Sequence, residues 1–376
     1  MNWFIRQVLS VEAILLMLMF FCGAFCGWYL NRKKRKREKK LDYLDKILTR
    51  LVSERIDDFD LYVPKKLIKL SLVVPAMEKI SETINTPFWH FFRNKILHDR
   101  LKDEIDNGFE SKDWGETNYA VRAITMAPKI EYEKRVLNYL IHSNSVLCFA
   151  AATCAMNFKT IRSIEAILVS MENLDKSMQY LFRDTLLGAD SDVFDILRVI
   201  FKRSDNEITK QRAFSILSLK MGYLEFEDIK SYFYHDNERM RWLALRAIEN
   251  YPTHEGALHI IKCLKDPSWK VRALSGFLIG SLNLELGLLA LNKGMHDEHR
   301  WVQFICALCL KTFGELGDDL LQANHHLEVV KYVEAMPQNS FTKGFRHFFP
   351  INQDPDILFE SFTYTEQEKP KESLSF

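Results

Sequence analysis

The stretch DPSWKVRALSGFLIG, residues 266–280, decides the fold of this chain. Taken alone it offers two readings. An acid, an indole and two cations are gathered beside glycines, as chemistry would need, or the stretch is one copy of something built many times. Stepping along the chain from Val271 in intervals of 31 separates the two. That column reads Leu147, Met178, Thr209, Met240, Val271 and Val302. One place on runs a polar column of Cys148, Gln179, Lys210, Arg241, Arg272 and Gln303. A mostly small column follows, Ala151, Phe182, Ala213, Ala244, Ser275 and Cys306, and then an apolar one, Ala155, Leu186, Leu217, Ile248, Ile279 and Leu310. Self-similarity at a fixed period is the signature of a repeat architecture. Arg272 is therefore one rung of a column.

The columns fall at i, i+4 and i+8, which is one face of a helix. A second apolar set precedes each copy: Val136, Ile167, Ile229, Ile260 and Leu291, with Arg198 the exception. Each unit is thus expected to be two helices joined by a turn rich in Asp or His. Asp266 is expected to cap the second helix, with Pro267 at its first position. The fold class that follows is all-α, an α-solenoid of helix pairs on a 31-residue period.

Asp266, Val271, Arg272 and Ser275, in the pattern Asp-x-x-x-x-Val-Arg-x-x-(small), resemble the HEAT-like repeat family. The short bacterial form, the phycobilin-lyase type, is the most similar. Met240, Arg241 and Ala244 match apart from the acid, because Asp236 falls one place late and His235 holds its slot. Asp297, Val302 and Cys306 match with Gln303 in place of arginine, and the copy at 178–186 departs furthest. The likeness covers roughly residues 115 to 320. It implies a scaffold that docks another protein.

The chain has 376 residues and a formal net charge of +1, which argues against a general nucleic-acid binder. That balance hides an asymmetry. RKKRKREKK at 32–40 carries a local +7, so the remainder is net −6. Seven cysteines, without disulfide spacing, point to reduced thiols. Immediately before the basic run stands VEAILLMLMFFCGAFCGWYL, residues 11–30. Eighteen uncharged residues from Ala13 to Leu30 would cover about 27 Å as a helix. A cleaved signal peptide fits poorly, since charge follows where a cleavage site belongs. The expectation is one N-terminal transmembrane helix. Charge asymmetry then orients it with the N-terminus out and the repeats in the cytosol, a single-pass protein of a bacterial inner membrane. Arg32, Lys33, Lys34, Arg35, Lys36, Arg37, Lys39 and Lys40 are expected to rest on the membrane surface. Gly23 and Gly27 form a G-x-x-x-G that would let two anchors approach closely in a homodimer.

The expected organisation is an anchor at 1–31, a basic juxtamembrane segment at 32–40, a helical stalk with degenerate repeats at 41–110, the repeat array at 111–336, and a Phe-rich cap with a disordered tail at 337–376. Pro64, Pro75 and Pro87 are read as breaks between short helices in the stalk.

No catalytic set emerges. His254-Glu255 is a single His-Glu pair, whereas the HEAT-like hydroxylases that hold two irons carry several. His296 and His299 offer two metal ligands without a third. Cys306 and Cys309 occupy core columns, which makes them packing residues. No cofactor is expected, nor an enzyme. The rival reading is a HEAT-like enzyme or cofactor chaperone of the lyase or hydroxylase type. The position opposite the core in the second helices reads Phe149, Tyr180, Gln211, Trp242, Ala273 and Phe304. Aromatics there suit an interface, and Trp269 and Trp301 extend the set. The function expected is a membrane-anchored scaffold binding a partner protein on the cytosolic side. Membrane-bound proteins of the family imply a partner such as a surface-polysaccharide glycosyltransferase.

Overall fold

The computed structural model describes residues 2–220, 222–249 and 253–335, with side chains from residue 19 onward. The expected cap and tail at 337–376 lie outside the described residues. Among these residues every regular element is helical. The chain divides into two compact units, Met1–Phe158 and Lys159–Phe376. Lys159, in left-handed backbone at φ 52°, opens the second unit.

The first unit begins with α1, Asn2–Ser53, a single unbroken helix. It continues with α2 (Phe59–Tyr62), α3 (Leu70–Thr83), α4 (Pro87–Lys95) and α5 (Lys102–Glu110). Then come α6 (Trp114–Met126), α7 (Glu133–Leu137) and α8 (Ser145–Asn157). The last turns of α1 bury Leu44, Leu48, Leu51 and Val52, and this part of the helix packs on α3.

The expected single-pass membrane location is contradicted. Among the described residues, no helix is long and apolar enough to cross a membrane. Helix α1 passes through the basic run into the folded unit without a break.

The prolines of the first unit act differently from one another. Pro87 sits at the start of α4, whose Thr86 cap accepts from the Trp89 N–H. Pro64 precedes a short 3-10 turn, Lys65–Leu67. Pro75, expected to break a helix, lies inside α3. A proline there cannot donate to the carbonyl four residues back, which is Ser71. Arg37 supplies the missing donor, its Nη2 lying 3.2 Å from the Ser71 carbonyl and 2.5 Å from the Tyr119 hydroxyl. One member of the basic run is thereby engaged with α3 and α6, and the helix tolerates its proline.

The second unit holds α9 (Ile161–Ser170), α10 (Lys176–Leu187), α11 (Ser191–Arg203) and α12 (Glu207–Leu217). It goes on with α13 (Phe226–Ile229), α14 (Glu238–Ile248), α15 (His254–Cys263) and α16 (Trp269–Ser281). The last four are α17 (Leu288–Gly294), α18 (Arg300–Leu310), α19 (Glu315–Ala323) and α20 (Glu328–Glu334). The longer partner of each successive pair starts at Ser145, Lys176, Glu207, Glu238, Trp269 and Arg300, evenly spaced along the chain. The columns beginning at Leu147, Ala151 and Ala155 are buried in every copy. In the preceding helices Val136, Ile167, Ile229, Ile260 and Leu291 are buried too. This is a helical repeat fold.

Arg198, the outlier of that set, reaches the following pair instead. Its guanidinium meets Asp228 at 2.9 Å and Glu225 at 2.8 Å, and Lys202 joins Asp228 at 2.6 Å. Burial pushes the Asp228 carboxyl up, but hydrogen bonds from Lys202, the Glu225 backbone and Arg198 outweigh it and hold the group below its usual value.

The polar column works on the turn before its own helix. Gln179 Nε2 donates to the Leu174 carbonyl at 2.9 Å and Gln303 Nε2 to that of Asp297 at 2.5 Å. Arg241 Nη1 donates to the carbonyls of His235 and Asp236, and Arg272 Nη1 to those of Asp266 and Pro267. The two arginines also reach the next turn. Arg241 holds Asp266 with two bonds of 2.7 and 2.8 Å, and Arg272 holds Asp297 with two of 2.8 and 2.9 Å. Two parallel N–H to carboxylate bonds fix orientation as well as distance.

Asp266 does not cap α16 as expected. The cap position is Ser268, and the helix starts at Trp269, two residues beyond Pro267. The Asp266 carboxylate instead accepts from the Ser268 N–H at 2.8 Å and tightens the turn. The glycines of the opening stretch also find their role. A Cβ on Gly280 would lie 2.8 Å from Cys309 Cβ and Sγ, and one on Gly276 would lie 3.2 Å from Cys306 Sγ. These glycines give the cysteines of α18 room against α16.

Candidate protein-docking surface

Each second helix buries three columns, so its remaining face decides what a partner can touch. In α10 this face carries Tyr180 and Leu181, and in α12 it carries Ile208 and Gln211. Leu181 is 46% exposed and Ile208 44%. Tyr180 is half-buried, with the Arg183 guanidinium 5.2 Å from its ring centre. In the first unit Phe149 of α8 is 37% exposed, and Val146 one turn earlier is exposed as well.

The later copies differ. Trp242 was expected at the surface, but it is only 1% exposed and ranks among the largest fully buried side chains. The reason is general to its helix: every residue from Met240 to Ile248 is buried, and so is every residue from Lys270 to Gly280, Ala273 included. Trp269 is half-buried and stacks flat on His299, with ring centres 3.9 Å apart and planes within 7°. Trp301 meets Phe304 edge-on at 6.2 Å, and Phe304 lies 6.0 Å from Tyr332. The predicted aromatics therefore fall into an outward set, Phe149 and Tyr180, and a set packed into the later repeats. Sequence reasoning missed Val146, Leu181 and Ile208. Leu181 follows the aromatic column by one place, and Val146 and Ile208 precede it by three, about one turn earlier on their helices.

On α1, residues 31–40 are all exposed. The Arg32 guanidinium sits 5.3 Å from the Trp28 ring centre, while Arg37 is engaged as described above. Gly23 and Gly27 have open space where a Cβ would stand, and Cys22 and Cys26 are exposed. His254 and Glu255 lie exposed at the start of α15. His296 Nε2 lies 3.3 Å from Asn324 Oδ1, away from the His299–Trp269 stack. Among the described residues no group of three or more His, Cys, Asp and Glu side chains is arranged to hold a metal ion. Burial pushes the Cys306 and Cys309 thiols well up, which keeps them protonated packing groups.

No protein-family model matches the sequence, and no curated protein matches it. Among solved structures, an engineered protein is similar over 80% of this chain and 89% of its own, at 15% identity and a TM-score of 0.34. Kap121p, in structures bound to Pho4p and to Nup53p, is similar at 12% identity over 81% of this chain, with TM-scores of 0.35 and 0.34. The chain spans less than half of Kap121p, 44% and 43% in the two cases. The fold rests on the chain's own helix pairs.

Proposed function

We propose that this protein is a scaffold of the short HEAT-like kind, built on a 31-residue helix pair, that binds a partner protein through the outer face of its early second helices. The even spacing of the second-helix starts supports the repeat. The binding reading is carried by one observation: Leu181, next to Tyr180 on α10, and Ile208 on α12 stand nearly half exposed on consecutive second helices. Full burial of such a side chain is worth about 1.5–3 kcal/mol. A protein that buries three columns completely, yet leaves these apolar groups out, has a surface suited to docking. Phe149 and Val146 hold the matching positions in the first unit. A partner that covered them would gain the same kind of contact.

The test is photocrosslinking from a benzophenone side chain placed at Leu181 or at Ile208 in the full chain, in cells. The same partner should be captured from both positions and not from Leu289, an exposed residue on the first helix α17. Capture from Leu289 alone would assign binding to the other face and overturn the proposal.

A further inference from the structure

The turn after Tyr234 and the turn that follows α15 border an open recess of about 430 Å3. Its walls include Phe233, Tyr234, His259 and Arg241, and its rim includes Lys262 and Lys265. The aromatic wall is continuous. His259 stacks on Phe233 with ring centres 5.0 Å apart, and its Nδ1 lies 3.1 Å from the Tyr234 hydroxyl. Burial, aided by Lys262, holds the His259 imidazole below its usual pKa, so this wall is uncharged at neutral pH.

The charges around the recess are unequal. Arg241 and Asp266 cancel each other through two short bonds. Asp236 is the other carboxylate lining it, and it is exposed, while Glu255 acts on His259 from one turn earlier on α15. Against Asp236 stand Lys262 and Lys265, both exposed, and neither has an ion-pair partner among the described residues. Lys230 nearby is occupied by Glu227. One lysine beside the C-terminus of α15 would serve the helix dipole. Two, placed over an apolar ring wall, make a feature with an aromatic interior and a cationic lip.

We infer that this recess docks an acidic segment of the partner, inserting one apolar or aromatic side chain against Tyr234 and His259 and setting flanking carboxylates on Lys262 and Lys265. The inference rests on the scaffold reading and names the chemistry of what that scaffold binds. A recess of this size accepts one large side chain, and a free inorganic anion would meet the lysines but leave the rings uncovered.

The experiment uses the full chain and two short fluorescent peptides, one with glutamates flanking a phenylalanine and one with lysines in their place. Anisotropy should show binding of the acidic peptide only, weakening as salt is raised. Replacing the exposed pair, Lys262→Gln with Lys265→Gln, should weaken it on the order of tenfold while the circular dichroism spectrum stays unchanged. Equal binding of the two peptides, no binding of the acidic one, or an unchanged affinity in the double variant would each overturn the inference. Crosslinking from Leu181 and Ile208, repeated in the same double variant, separates this failure from failure of the scaffold reading. That reading stands if the partner is still captured there.

Discussion

The turns that open α10 and α12 are fixed differently from those that open α16 and α18, although all four helices begin at the same point of the repeat. In the earlier pair the capping side chain is local. Asp175 accepts from the Met178 N–H and Asn206 from the Thr209 N–H. In the later pair the cap positions, Ser268 and His299, make no side-chain cap bond. There Asp266 and Asp297, two residues earlier, accept the N–H of Ser268 and His299 while being gripped by Arg241 and Arg272 of the preceding copy. Helix α14 stands between, with an Asn237 cap and an arginine that reaches forward. The same start can be set by a residue of the helix's own turn or by its neighbour. Only the second arrangement links one repeat to the next.

The buried columns are common to both regions and should fail alike. Leu217→Asp in the capped region and Ile279→Asp in the linked region each bury a charge at a site with 0% exposure. Each should cost more than about 5 kcal/mol, enough to abolish cooperative unfolding of the unit. Retention of helix content and of the thermal transition in both would show that the columns are misassigned.

The turns, by contrast, should fail unequally. Arg272→Ala leaves the Asp297 carboxylate largely buried without its partner and should cost about 3–5 kcal/mol in urea melts. Asn206→Ala removes a local cap and should cost about 1 kcal/mol. Equal losses would erase the distinction between the two regions. A finer probe of the linked region is Gly294→Ala, whose Cβ would collide with Cys306 Sγ. It should cost about 1–3 kcal/mol, and Cys306→Ala in the same chain should recover part of that loss.

What was legible in the sequence follows from this contrast. The columns were readable because burial admits few residue types, and their recurrence survives changes of size such as Ala151 to Phe182. The turn devices were not readable as a column, because His142, Ser204, His235, Asp266 and Asp297 share a position and an acceptor role but no single chemistry. His142 Nδ1 accepts the Asn144 N–H and His235 Nδ1 that of Asn237, as Asp266 does for Ser268. The fate of Trp242 was also beyond the pattern. Helical periodicity identifies the side opposite the core, but it does not say whether further packing covers that side. The transmembrane expectation rested on an apolar stretch followed by a basic run, and no described helix meets the requirement for crossing a membrane.

A smaller effect sharpens the comparison at the Arg198 cluster, which links repeats within the capped region. The Asp228 carboxyl is held below its usual 3.8 in the folded state. Its contribution is therefore fully present above that pH and is lost as pH falls through the folded value. Asp228→Asn should flatten this part of the acid limb of stability and leave the neutral-pH slope unchanged. An unaltered acid limb would show that the cluster contributes nothing.

The central claim, that the early second helices present a docking face rather than an imperfect core, is tested most directly by one pair of readings on one variant. Leu181→Ser with Ile208→Ser should abolish capture of the partner by a benzophenone placed at Gln211 on the same face, while the thermal midpoint stays within a few degrees of the parent, since both side chains are already nearly half in water. Undiminished capture, or a midpoint that collapses together with capture, would contradict the account.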